Sequence, residues 1–221
     1  DWTANATILS GDIGTVGDNS DNSFSVVYNS GNALDNSSVL DGFTITGGNG
    51  NGNSPFNQGG GINNVSSSPT ISNCLISGNS ANYGGGVAIA NSSAQIINCT
   101  VSNNTASVAS GGGIYIFSST PTLTNCIVSG NTASTRPGGI DFITSDGAVV
   151  NCTVSGNSAS TFAGGVLVTG SSPTFTNTVI WNNRAGTETG SADANFAIGA
   201  SSTPVITYCL FQNHNPRGTG N

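Results

Sequence analysis

Hydrophobic and polar residues alternate along this chain in short runs, and the runs return at a fixed interval. Val149, Cys152, Val154, Val166 and Val168 repeat a set seen one interval earlier as Leu123, Cys126, Val128, Ile140 and Phe142. The set before that is Ile96, Cys99, Val101, Ile114 and Ile116. Alternation at every second residue is the period of a strand with one buried face. No stripe with helical spacing runs for a useful length. Each repeat therefore predicts three short strands, joined by turns rich in Gly, Asn and Ser.

Four further columns share the interval. Cys74, Cys99, Cys126 and Cys152 are separated by steps of 25, 27 and 26 residues. Thr178 takes the next slot, and Cys209 follows an enlarged repeat. Glycines recur at Gly84-Gly85-Gly86, Gly111-Gly112-Gly113, Gly138-Gly139 and Gly164-Gly165. One Asn column precedes the Cys slot, at Asn73, Asn98, Asn125, Asn151 and Asn177. A second lies five residues beyond it, at Asn79, Asn104, Asn131, Asn157 and Asn183. Leucine-rich repeats would be dominated by Leu, which is scarce here, and propeller blades are longer, at roughly 40–45 residues. The expected fold class is all-β, a solenoid of parallel strands with about 26 residues per coil and three strands in each coil. One coil cannot bury enough to offset the ordering of its backbone, so stacking is a physical requirement.

The columns carry structural expectations. Asn tolerates the left-handed backbone of a sharp turn, and stacked amides can hydrogen-bond from coil to coil. An inward-facing ladder is expected for Asn73, Asn98, Asn125, Asn151 and Asn177, ahead of the second column. The Cys/Thr column (Cys74, Cys99, Cys126, Cys152, Thr178 and Cys209) reads as a core spine of small side chains. An odd cysteine count argues against a disulfide framework, although neighbours such as Cys74 and Cys99 could lie within bridging distance. The glycine clusters suit a turn with positive φ before each following strand.

Composition narrows the function. Charged residues are 6% of the 221-residue chain, against about 25% in an average soluble protein. There is no Lys, the cations are Arg136, Arg184 and Arg217, and the net charge is −7. A nucleic-acid partner is excluded, because phosphate neutralisation needs a basic surface. Anionic membranes are disfavoured, and no apolar run approaches the roughly 18 residues of a membrane span. The chain begins without Met or a signal peptide, so a mature secreted product or an excised piece is expected. It reads as a single domain over residues 1–221: irregular first coils at 1–35, regular repeats at 36–215 and a tail at 216–221. No capping helix is apparent, so a segment of a longer chain, or stacking end to end on other copies, is expected.

The pairing of Gly-Gly-hydrophobic with hydrophobic-x-x-Asn resembles a known family pattern. Gly85-Gly86-Val87, Gly112-Gly113-Ile114, Gly138-Gly139-Ile140 and Gly164-Gly165-Val166 look like the Gly-Gly-Ala-Ile motif of polymorphic outer-membrane proteins. Ile76 to Asn79, Val101 to Asn104, Val128 to Asn131, Val154 to Asn157 and Ile180 to Asn183 resemble that family's Phe-x-x-Asn motif, with Val or Ile at the Phe slot. The stretches Ala6 to Gly14 and Leu40 to Gly48 look like large secreted bacterial β-helix proteins of the pectate-lyase-like superfold. The resemblance covers roughly residues 6 to 213. It implies a right-handed parallel β-helix in a secreted or surface-exposed protein, often adhesive. The same superfold hosts lyases and hydrolases of acidic polysaccharides, so fold alone does not choose between these functions.

Candidate chemistry is sparse. Residues 42 to 140 contain no Asp or Glu. Asp141 and Asp146 are the best pair for hydrolysis, which needs two carboxylates flanking one bond. The alternation places Asp141 facing solvent beside inward Ile140. Asp12, Asp18 and Asp21 form a loop that could hold Ca²⁺, although plain turns are the commoner use of such residues. His214 has no partner pattern around it. Thr70, Thr122 and Thr174 form a column interrupted by Gln95 and Ala148, which argues against a flat threonine surface. Tyr115 is expected to be exposed and able to stack on a sugar. The insertions from Gly47 to Gln58 and from Asn182 to Asn195 are where a partner-specific surface would lie. The reading is a non-enzymatic structural or adhesive extracellular module with no cofactor and no metal. Its partners would be other copies of itself, carbohydrate or a cell surface, and the alternative is a carbohydrate-binding or polysaccharide-degrading protein.

Overall fold

The computed structural model describes residues 6–186, 188–189 and 192–212. His214 and Arg217 lie outside the described residues, as do the tail at 216–221 and part of the Asn182–Asn195 insertion.

Strands from successive coils stack in parallel into four sheets. The first sheet begins with Thr7–Ser10 and Phe43–Thr46, continues through Leu75–Ser77, Thr100–Ser102, Ile127–Ser129, Thr153–Ser155 and Val179–Trp181, and ends at Leu210–Phe211. The second runs from Val27–Ser30 through Ile62–Val65, Val87–Ala90, Ile114–Phe117, Ile140–Ile143 and Val166–Thr169 to Phe196–Ile198. The third runs from Val39–Asp41 through Gln95–Ile97 to Val205–Thr207. A fourth, narrow sheet of two-residue strands such as Ser80–Ala81, Thr105–Ala106 and Thr132–Ala133 was not anticipated from the sequence. Its steps are too short to show an alternation, and only the small inward Ala betrays them. Among the described residues the single helical turn, Ala192–Asn195, lies within the enlarged last repeat.

The register matches the repeat interval. Val101 pairs with Ile76 on one side and Val128 on the other, and Ile89 with Ile116. Like residues therefore stack on like residues, and their inward side chains merge into one continuous core from Ile45 to Phe211. Near its end this core contains a file of rings, with Phe142, Phe175, Phe196 and Phe211 packed edge to face at 5.9, 5.1 and 5.3 Å.

The two Asn columns exchange the places expected of them. Asn73, Asn98, Asn125, Asn151 and Asn177 adopt φ between 50° and 55° at the corner before each first-sheet strand. Their side chains face outward, with Asn98, Asn125, Asn151 and Asn177 exposed and Asn73 half-buried. Neighbouring amides still meet there, Asn98 donating to Asn73 at 3.3 Å and Asn125 to Asn98 at 3.2 Å. The inward ladder is the other column. Asn79, Asn104, Asn131, Asn157 and Asn183 are buried, and each donates both its backbone N–H and its Nδ2 to the Oδ1 of the next Asn. Asn195, supplied by the helical turn, receives the last of these at 3.0 Å. The reason is geometric: a left-handed residue at a corner turns its side chain outward, whereas the second column sits where the chain bends round the core.

Two further inward rows follow the same rule of amide to side chain one coil on. Ser92, Ser119 and Ser145 donate from backbone N–H to the hydroxyls of Ser119, Ser145 and Ser171 at 3.1, 3.1 and 2.9 Å. In the Cys/Thr column, Cys74 and Cys126 donate from their amides to the sulfurs of Cys99 and Cys152, and Cys152 donates to Thr178 Oγ1 at 3.4 Å. Thr178 thus fills the slot because its hydroxyl accepts the same bond. Cys74, Cys99, Cys126 and Cys152 are buried free thiols, and Cys209 is buried in the same row. The neighbouring sulfur and burial together hold the Cys99 and Cys126 thiols above their ordinary range.

The glycines are required mainly for closeness. Gly84 and Gly111 have positive φ, but Ala163, at φ 56°, takes the equivalent position two coils later. In the following pair a side chain has no room. A Cβ on Gly112 would sit 2.2 Å from Thr132 O, and one on Gly113 2.9 Å from Asn131 Nδ2. The Gly-Gly and Asn elements of the repeat are the two halves of one contact.

Candidate functional site

The sequence-predicted candidates do not converge. Asp141 and Asp146 line separate cavities. Asp146 is exposed and accepts a 2.6 Å hydrogen bond from the Ser172 amide, which caps a turn. Each acid of the Asp12–Asp21 loop is engaged locally: Asp12 by Gly17 N–H, Asp18 by the amide and hydroxyl of Ser20, and Asp21 by Thr15 N–H. The Ser20 hydroxyl also holds the Asp18 carboxyl below its ordinary value. Among the described residues no group of three His, Cys, Asp or Glu side chains is placed to hold a metal. The Thr70, Gln95, Thr122, Ala148 and Thr174 positions do stand in one registered row on the third sheet.

Asp141 is not a solvent-facing residue; it is 2% exposed. Its side chain does point away from the core, as the alternation requires. Around Asp141 the outer face of the second sheet is itself covered, by the loops carrying Ser110 and Arg136, although Phe117 and Tyr28 on the same face stay exposed. Tyr115, expected to be exposed, is buried for the same reason, with its ring 5.4 Å from Tyr83. Leu167, Ala163 and Ala197 form a small apolar cluster beside them. Burial pushes the Tyr115 hydroxyl up to about 12, with Asp141 and Tyr83 adding to the effect. The alternation finds the two faces of a strand but cannot show that loops cover the outer one.

A second surface feature escaped the sequence reading. At the turns between the second and third sheets an open, polar groove of about 520 Å³ is lined by Ser68, Asn91, Ser93, Ser118, Thr120, Thr144 and Asp146. Successive coils supply equivalent hydroxyls, and these bond to one another, Ser93 to Thr120 at 2.8 Å and Ser118 to Thr144 at 3.2 Å. A match to the family model described as right handed beta helix region covers residues 5–187, and a second covers 85–220. The chain belongs to the right-handed β-helix family. That membership gives the coil its hand and agrees with the parallel pairing from coil to coil, the antiparallel pair of Arg184–Ala185 with Glu188–Thr189 lying inside the enlarged repeat. No curated protein and no solved structure matches the chain. For this β-helix, candidate function therefore rests on the geometry of its own surface.

Proposed function

We propose that this β-helix is a non-enzymatic, extracellular structural and adhesive module of a bacterial surface or secreted protein. The observation that supports this reading best is the hydroxyl groove on the turns. It is nearly uncharged, crosses successive coils in register and carries one carboxylate, Asp146, already used as a cap. Such a surface suits many weak hydrogen bonds to a polar polymer or cell surface, and it offers no acid and base facing each other. Among the described residues the sheets end in open-sided strands, the kind of edge that another copy, or adjoining chain, would cover.

The competing reading is a polysaccharide-degrading β-helix. Incubation with pectin, alginate and glycosaminoglycans, followed by product analysis, distinguishes the two. Adhesion predicts retention on immobilised polymer or cells with no new chain ends. Release of reducing ends or unsaturated products would overturn it.

A further inference from the structure

The outer face of the first sheet differs from those of the other three. Eight strands stack there in register, so each outward position forms a row running along the solenoid. One row alternates apolar side chains with threonine, as Leu75, Thr100, Ile127 and Thr153 in the middle coils. Ile8 and Leu210 stand at its two ends, and the threonine methyls join the apolar residues into one strip. The second row is mostly hydroxyls, such as Ser102 and Ser129, and includes Trp181 towards its end. Ile8, Ile127, Leu210 and Trp181 are 59%, 47%, 55% and 43% exposed, so four large apolar side chains of one face meet water.

Among the described residues no outward position of this sheet is charged. The third sheet carries Asp41 outward, the fourth carries Arg184, and the second holds Asp141 beneath its covering loops. The chain has a net charge of −7, so two copies approach at least cost across a neutral face. The cores of protein interfaces are likewise depleted in charge. Eight strands about 4.8 Å apart, each about six residues long with its corners, make a face of roughly 650 Å². A stable dimer buries about 600–1,000 Å² on each partner, so the face is large enough for one.

We propose that two copies of this chain pair side by side through their first sheets, with the solenoid axes antiparallel. A two-fold axis along the strands sets the apolar row of one copy on that of the other. Ile8 then faces Leu210, Leu75 faces Thr153 and Ile127 faces Thr100, so no apolar side chain is placed against a charge. Trp181 falls on Thr46 of the second copy and supplies the large aromatic anchor that interfaces favour. The two sheets pack face to face about 10 Å apart, as in a sandwich. This contact runs along the side of the solenoid. It is separate from the covering of strand edges at the ends and does not depend on the adhesive reading.

Sedimentation equilibrium of the intact chain over a range of concentrations tests this, and a reversible dimer is expected. Ile127 lies on the fifth of the eight strands, away from both ends. Ile127→Lys should therefore weaken the dimer roughly a hundredfold or more, by placing two unpaired charges in the interface. Ile127→Val should leave it nearly unchanged, and Trp181→Ser should weaken it about tenfold or more. Circular dichroism checks that each variant is folded, and Trp181→Ser decides the matter if Ile127→Lys does not fold. A chain that stays monomeric at every concentration would overturn the proposal. So would an association that Ile127→Lys and Trp181→Ser leave intact, which is the behaviour of end-to-end stacking.

Discussion

Asp141 is the residue at which burial and charge conflict most directly. Its folded carboxyl is raised to about 7 from 3.8, chiefly by desolvation. A raised acid pKa means that the folded state holds its proton more tightly than the unfolded chain does. The associated stability is fully present below about pH 4 and is lost as pH rises through 7. The charged or titratable groups facing it are Arg136, which favours ionisation, and Tyr115, which stays neutral across this range. Asp141→Asn removes the titration while keeping the shape. The variant should therefore equal the wild type near pH 4 and exceed it at pH 8 by on the order of a few kcal/mol. Urea denaturation at the two pH values measures this. A wild type that gains stability between pH 5 and 8 relative to the variant would show that the carboxylate is compensated inside the fold.

At the scale of the repeating element, each corner is closed by side chains that accept amides from the neighbouring coil. Asn131 Oδ1 accepts from both the amide and the Nδ2 of Asn104, and its own Nδ2 donates to Val101 O and Asn157 Oδ1. Asn131→Ala strands several of these buried groups, at about 1–3 kcal/mol each, so a loss of roughly 3 kcal/mol or more is expected. Asn125→Ala, six residues earlier in the same coil, gives up only a left-handed preference and an exposed amide contact, for about 1 kcal/mol. Chemical denaturation of the two variants should separate them clearly, and similar losses would contradict the inner ladder. The period, the parallel register and the core positions were all legible, because alternation and spacing are one-dimensional signals. The facing of the Asn columns was not. Both columns have the same period, and only the sign of φ at the corner tells them apart. The Ser67, Ser92, Ser119, Ser145 and Ser171 row carried the same period in plain view, hidden among many other serines. Asp141 and Tyr115 were misplaced because the alternation reports on the strand alone, and their burial is due to loops from three coils.

Across the whole molecule, each coil touches only the coils above and below it, so stability is the sum of local terms and neighbour interfaces. Opening should begin at the outermost coils, where among the described residues each strand pairs on one side only. The file of Phe rings runs through the last three interfaces and supplies much of the apolar contact that holds the final coil to the stack. Phe175 is fully buried between Phe142 and Phe196. Phe175→Ala should cost about 3–5 kcal/mol, since the rigid ladders on either side prevent the cavity from collapsing. The effect should also be local. Hydrogen exchange would show the amides of Phe196–Ile198 and Val205–Thr207 losing most of their protection, while those of Thr100–Ser102 and Gln95–Ile97 keep nearly all of theirs. A uniform loss along the chain would mean that the solenoid unfolds as one block. The coil-to-coil interfaces would then be strong enough to make neighbour-by-neighbour accounting the wrong description of this fold.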